Sequence, residues 1–412
     1  AHNWMTRYPD KIFTDPACTQ RLPIELPPAE TRRVHGVVVA TGAHAAIQDY
    51  AKDDSGSFMI RPSLKGSQAI DFSQPSFLPF CLGDVNPDGL FIHVFDALAM
   101  KRVLEHLNTV ADFTRYLNKR AAFIRSGKLA SAPGEEDLLA FYLHVGIFSG
   151  EYDFDARRKK KFADYAIMVS RNEWVGYIRS DHFFAKTMAD EVSKVWDRLI
   201  NVFTANVLAG TSVAVLGEEP SVLLSERGLR FMAMENRFAR RLLGAAVANA
   251  LQTARELRQD RFARVIMPST VSANPKVAYV IMILAYPTNL DERGGLEGGY
   301  EQYRQARASM LETYCMGVLF KNRQLDTAVG IALDAHWSQT GRRGGSEDLM
   351  AIGIDEWTPA LEAELAERRE TYHILQEDRL RQSMVSHQEY PAADPGSVSR
   401  ARAKKGKKGR KR

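Results

Sequence analysis

The stretch Asp84-Val-Asn-Pro-Asp-Gly-Leu-Phe-Ile-His-Val-Phe-Asp96 sets the turn dipeptide Asp88-Gly89 against a run of β-branched and aromatic residues. Glycine supplies the turn and the run suits a pleated, half-buried surface, so a strand is predicted over Leu90 to Phe95. Working outward, Leu98, Val103, Leu104 and Leu107 recur at helical spacing. Thr109-Val-Ala-Asp112 has the form of a capping box and predicts the start of a second helix. Upstream, Val34 to Ala40 reads VHGVVVA, a short β-branched strand, and a helical stretch follows from Thr41 to Ala51. Residues 33–126 are therefore expected to form a small α/β domain. Residues 1–32 carry Pro9, Pro16, Pro23, Pro27 and Pro28 and are expected to form an extended arm.

Past the linker between Gly127 and Gly134 the pattern turns helical, with helices predicted over Glu135 to Phe148, Ala185 to Leu208 and Ser221 to Arg258. Residues 135–260 are expected to form a helical domain. Residues 261–385 alternate strand and helix patterns: VAYVIMILAY (277–286), a glycine-rich loop, a helix over Glu301 to Cys315, VGIAL (329–333), LMAIGI (349–354) and a closing helix from Pro359. That order predicts a C-terminal α/β domain. The fold class is thus α/β in the mixed α+β sense, with a small N-terminal sheet, an α-rich middle and a C-terminal α/β domain. Residues 391–412 are expected to be a disordered basic tail.

With 45% hydrophobic and 25% charged residues among 412, the chain has ordinary globular composition. It has no apolar run of about 18 residues for a membrane span and no signal-peptide core in its first ten residues. Cys18, Cys81 and Cys315 form no paired spacing, which argues against a disulfide framework or a structural zinc site. The expected location is cytoplasmic, or nuclear in a eukaryote. The net charge of +5 is uneven, because nine Lys or Arg residues lie between Arg400 and Arg412 with no acid among them. Without those nine the balance is 46 basic against 50 acidic residues. General attraction to nucleic acid is therefore expected from Arg402, Lys404, Lys405, Lys407, Lys408 and Arg410, which bind polyanions by releasing counterions.

Other motifs are weighed against plainer explanations. Asp84 to Gly89 matches the first half of a calcium loop, but Phe95 stands where the bidentate Glu belongs, so an ordinary hairpin turn is expected. Arg227, Arg230, Arg237 and Arg241 fall on one stripe of the predicted helix 221–258. Of these, Arg230, Arg237 and Arg241 make a candidate phosphate-binding face, with interleaved Glu226 and Glu235 favouring a structural role instead. Arg157 to Lys161 is a second basic cluster. Gly294-Gly295-Leu-Glu-Gly298-Gly299 sits between a strand and a helix, where a phosphate cradle would be, but lacks a Lys-Ser/Thr ending; a mobile surface loop is expected. The polar loop from His336 to Asp348 would lie at strand ends.

Over about fifteen residues, Gly83 to Ala97, the chain resembles the strand-turn-strand of the nuclease-related domain family, a branch of the PD-(D/E)XK nucleases. Asp84 stands at the first Asp and Gly89 at the turn, while Val94 and Asp96 occupy the Glu and Lys positions. The resemblance implies a degenerate copy of a divalent-metal site, with Asp84, Asp88 and Asp96 as the carboxylates left to gather Mg²⁺, and His93 as a half-buried histidine. The expected function is a nucleic-acid-associated intracellular protein, a component of a prokaryotic nuclease or defence system. The alternatives are a non-catalytic adaptor whose helical middle binds a protein partner, or an enzyme acting on a nucleotide or small phosphate ligand through the Gly294 to Gly299 loop.

Overall fold

The computed structural model describes residues 2–22, 26–51, 57–69, 71–73, 77–149, 154, 165–209, 222–270, 272–287, 289–335 and 347–376. The described residues divide into two compact units, 2–189 and 190–376. The division falls inside the stretch expected to be one helical domain, which is therefore shared between the units. The fold is mixed α/β, and no described helix is long and apolar enough to cross a membrane.

In the first unit a short helix α1 (His2–Arg7) precedes β1 (Gly36–Ala40), α2 (Ala43–Ala51), β2 (Met59–Lys65), β3 (Cys81–Asp84) and β4 (Ile92–Asp96). The turn at Asp88-Gly89 does not close a hairpin. β4 pairs in parallel with β1, with Val38 opposite Val94, whereas β3 pairs in parallel with β2. Phe91, His93 and Phe95 alternate onto one buried face, as a period of two requires. That face meets α3 (Ala97–His106), α4 (Val110–Arg125) and α5 (Glu135–Ser149) in a core containing Val103, Leu107, Tyr116, Leu117, Leu138 and Tyr142. Asp96 caps α3, and Thr109 caps α4 by accepting from the Asp112 N–H at 3.1 Å while its hydroxyl donates to the Asp112 carboxylate at 2.7 Å. β5 (Leu129–Ser131) and β6 (Ile167–Met168) form a third small parallel pair, followed by α6 (Glu173–Arg179) and α7 (Asp181–Asp190).

The second unit is built on one four-stranded sheet. α8 (Lys194–Leu208), α9 (Val222–Met234) and α10 (Arg237–Leu257) lead into β7 (Arg261–Ile266), β8 (Val277–Leu284), α11 (Asn289–Lys321), β9 (Thr327–Asp334), β10 (Glu347–Ile352) and α12 (Pro359–Thr371). The strand order is β10-β9-β8-β7, with β8 and β9 parallel through the α11 crossover and antiparallel strands at both edges. β8 is buried on both faces, which is why VAYVIMIL is a continuous apolar run rather than an alternating one. Tyr279, Ile281, Ile331 and Leu333 pack with Trp196, Phe203, Met232 and Leu243 on one side; Val280, Met282 and Ala332 pack with Leu311, Cys315 and Val318 on the other. Gly330 permits that close approach, since a Cβ there would lie 2.8 Å from Cys315 Sγ.

Two further expectations are corrected. The glycine-rich stretch Gly294 to Gly299, expected as a mobile loop, lies within α11, whose later turns are held by Leu311, Cys315, Val318 and Leu319 against the sheet. Tertiary packing of one end outweighs the modest helix penalty of the glycines, about 1 kcal/mol each. The single helix expected over Ser221 to Arg258 breaks at Glu235-Asn236, where the Asn236 side chain accepts from the Ala239 N–H at 2.8 Å and starts α10.

Candidate functional site

The first turn of α5 places Glu135, Glu136 and Asp137 at a helix N-terminus, where negative charge is favoured, yet all three are buried. Each carboxylate has partners of its own. Glu135 accepts from Arg120 Nε at 2.9 and 3.1 Å, from Arg120 Nη2 at 2.8 Å and from the Tyr116 hydroxyl at 2.5 Å. The Ser57 hydroxyl donates to Glu136 and accepts from the Glu135 N–H at 3.0 Å. Asp137 accepts from the Trp174 N–H at 3.0 Å, and burial nevertheless raises its carboxyl above the usual range.

β4 brings His93 into this cluster, with Nδ1 3.4 Å from Arg120 Nη1. Burial first, then the charge of Arg120 and the neighbouring His35, pushes the imidazole down to about 3, so His93 is neutral near pH 7. Burial and the adjacent Glu135 raise the Tyr116 phenol far above its ordinary value. On Arg120, burial pulls the guanidinium down, and Glu135 more than offsets this, leaving it raised. The result is a charged pair sealed among Phe91, Phe95 and Tyr116, with Arg120 5.0 Å over the Phe95 ring.

The structure does not bring Asp84, Asp88 and Asp96 together as a metal centre. Asp84 is buried and accepts from Arg125 Nε at 2.6 Å, while Arg125 Nη2 donates to the carbonyls of Asn86 and Gly89 at 3.0 Å each. That arginine clamps the turn to α4. Asp88 is exposed on the turn. Asp96 uses Oδ1 to accept from the N–H groups of Leu98 and Ala99, both at 2.9 Å. Among the described residues, no group of three or more His, Cys, Asp or Glu side chains could hold a metal ion.

The arginine stripe is likewise taken up within the second unit. Arg237 Nη1 donates to Asp197 at 2.7 Å and to the Ser193 hydroxyl at 2.9 Å; Arg240 donates to the other Asp197 oxygen at 2.8 Å; Arg241 donates to Asp190 at 2.7 Å. Arg240 and Arg241 are buried. Arg230 is exposed but pairs with Glu226 one turn away at 2.7 Å. The break at Asn236 separates it from the others, so Arg230, Arg237 and Arg241 do not share one helix face. The basic cluster 157–161, most of the polar loop (336–346) and the basic residues Arg402 to Arg410 lie outside the described residues.

The polar stretch expected at strand ends closes on Asp348, which β10 places there, whereas the partners it meets, Tyr303, Arg304 and Arg307, gave no signal in the sequence. At the C-terminal ends of the parallel strands, Arg307 is 0% exposed and donates to Asp334 and to Asp348, the latter from Nε at 2.7 Å. Arg304 donates to the second Asp348 oxygen at 3.0 Å, and the Tyr303 hydroxyl lies 2.7 Å from Asp334 and 2.9 Å from the Leu284 carbonyl. Burial, then repulsion from Asp334, raises the Glu347 carboxyl above its usual range. Strand ends of this kind are a common ligand position in α/β sheets, but here Arg304 and Arg307 are matched against Asp334 and Asp348.

No protein-family model, curated protein or solved structure matches the chain. Its chemistry is read from these residues alone. In the first unit Asp84, Glu135, Glu136, Asp137 and one oxygen of Asp96 are engaged by Arg125, Arg120, Tyr116, Ser57 and backbone N–H groups.

Proposed function

We propose that the protein associates with nucleic acid through the basic segment Ser397 to Arg412, and that its folded units act as a body without strand-cleaving chemistry. The observation that carries this reading is the contrast between two sets of cations. In the folded units Arg120, Arg125, Arg237, Arg240, Arg241 and Arg307 are bound to carboxylates, while the nine Lys and Arg residues from Arg400 to Arg412 have no acid among them. Polyanion binding draws on cations that can exchange small counterions for phosphates, and a buried, paired guanidinium cannot. Membership of a nuclease or defence system remains part of this proposal only as a partnership in which another component cuts.

Binding to a single-stranded oligonucleotide across salt concentrations tests the reading. If about five cations of the segment contact phosphates, log K is expected to fall with log salt at a slope near −3.5, at about −0.7 per contact. Deleting Arg400 to Arg412 is expected to flatten that slope and abolish most affinity. Equal affinity and slope in the truncated protein would overturn the proposal.

A second reading, a non-catalytic adaptor for a protein partner, draws on β1 rather than on the helical middle. Val37, Val38 and Val39 are 36, 49 and 41% exposed, and among the described residues β1 has β4 as its only ladder partner. An apolar strand with one open edge suits strand addition by a partner.

A further inference from the structure

The Asp96 carboxylate is 1% exposed, and its two oxygens are unequal. Oδ1 accepts two N–H groups from the first turn of α3, whereas Oδ2 has no hydrogen-bond partner. An ionised oxygen left unserved in a protein interior is costly, so a partner at that point is strongly favoured. Asp96 lines a cavity of about 10 Å³ together with Arg120, Glu135, Phe58, Val94 and Phe95. A volume of that order accommodates about one water molecule.

The remaining donors and acceptors specify the guest. Arg120 carries five N–H groups. Glu135 takes the Nε group and one on Nη2, His93 Nδ1 faces one on Nη1, and Tyr116 engages the guanidinium as well, which leaves one of the five N–H groups for a further acceptor. The Glu135 oxygens are already served by Arg120 and Tyr116. The guest must therefore donate to Asp96 Oδ2 while accepting from Arg120. Water does both; an ammonium ion can donate but cannot accept, and it would sit against a guanidinium of the same sign.

We propose that this cavity is a binding site for a single internal water that bridges the Asp96 carboxylate to the Arg120 guanidinium. The bridge joins the start of α3 to the Arg120–Glu135–Tyr116 network, so the N-termini of α3 and α5 and the middle of α4 are held by one continuous chain of hydrogen bonds.

The test is a crystal structure of the full chain, grown without ammonium salts, at a resolution that places ordered solvent. One solvent peak within about 3.2 Å of both Asp96 Oδ2 and an Arg120 nitrogen is expected. An empty cavity, or Arg120 turned to contact Asp96 directly, would overturn the proposal. The Asp96→Ser variant keeps a good helix cap and removes Oδ2, so it is expected to fold and to lose the peak; retention of the peak would show that Asp96 does not hold it. If the variant does not fold, thermal midpoints of the natural chain in ammonium and sodium chloride at equal ionic strength decide the nature of the guest. Equal midpoints are expected, and stabilisation specific to ammonium would overturn the assignment to water.

Discussion

Replacing Arg120 by Met removes the guanidinium while keeping most of its aliphatic length. Glu135 then loses three of its short contacts, at 2.8, 2.9 and 3.1 Å, and keeps the Tyr116 hydroxyl in a site whose residues are almost wholly buried. Breaking one side of a buried ion pair costs about 3 to 5 kcal/mol, because the remaining charge stays desolvated. At about 1.4 kcal/mol per tenfold, that is a factor of roughly 10² to 10⁴ in the opening equilibrium of the first unit. Removing both charges, as Arg120→Met with Glu135→Gln, is expected to cost less than the single change, since no unpaired charge remains. Native-state hydrogen exchange followed on peptides from α4 and α5 reads this unit without contribution from the other. A single variant costing under about 1 kcal/mol, or a double variant costing as much as the single, would refute the reasoning.

Acid sensitivity provides a further check. His93 is held neutral in the folded chain, at about 3, against 6.5 for the unfolded group. Its contribution is complete above the unfolded value and is lost as pH falls, because protons then favour the unfolded state; between pH 7 and 5 the loss is about 2 kcal/mol. His35 and His106 are shifted in the same direction by burial. Urea unfolding of His93→Phe is expected to show a shallower pH dependence by nearly one proton, and an unchanged slope would count against a buried neutral His93. Gly330→Ala is expected to cost about 1 to 3 kcal/mol by overpacking α11 against β9, measured by thermal unfolding; a neutral result would show that Cys315 and Leu311 yield freely. Asp197→Asn leaves Arg237 and Arg240 without their shared carboxylate, and a loss of about 1 to 3 kcal/mol in urea is expected. If that variant instead gains nucleic-acid affinity without loss of stability, the two arginines are available to phosphates after all.

The legible parts of the fold are those whose signal is local. β1, α2, β4, β8 and β9 lie close to where alternation, β-branching and turn residues predict them, and the Thr109 cap is readable from four residues. Pairing was not legible. Val94 meets Val38 across more than fifty residues of chain, and nothing near Asp88-Gly89 announces that β3 and β4 take different partners. The break before α10 did carry a signal, since Asn236 is a favoured capping residue, but the continuous apolar periodicity on either side masked it. For the candidate sites, sequence gave the identities of Asp84, Asp96 and the arginines and not their engagement. Arg125, Asp190 and Asp197 reach these groups from other elements, at separations of about 40 to 50 residues that no spacing rule connects.

The length of α11 has a mechanical consequence. At 1.5 Å per residue its 33 residues span about 50 Å, whereas the eight-residue strands it links cover about 26 Å. Ala308, Leu311, Cys315, Val318 and Leu319 pack it against the sheet, while Tyr303, Arg304 and Arg307 tie it to Leu284, Asp334 and Asp348. From Tyr303 to Leu319 that fastening runs for about 24 Å, close to the full length of a strand. Such a splint makes the crossover and the strand ends one stiff piece, so a disturbance at Asp334 or Asp348 is shared by β8, β9, β10 and α11 rather than absorbed at one of them.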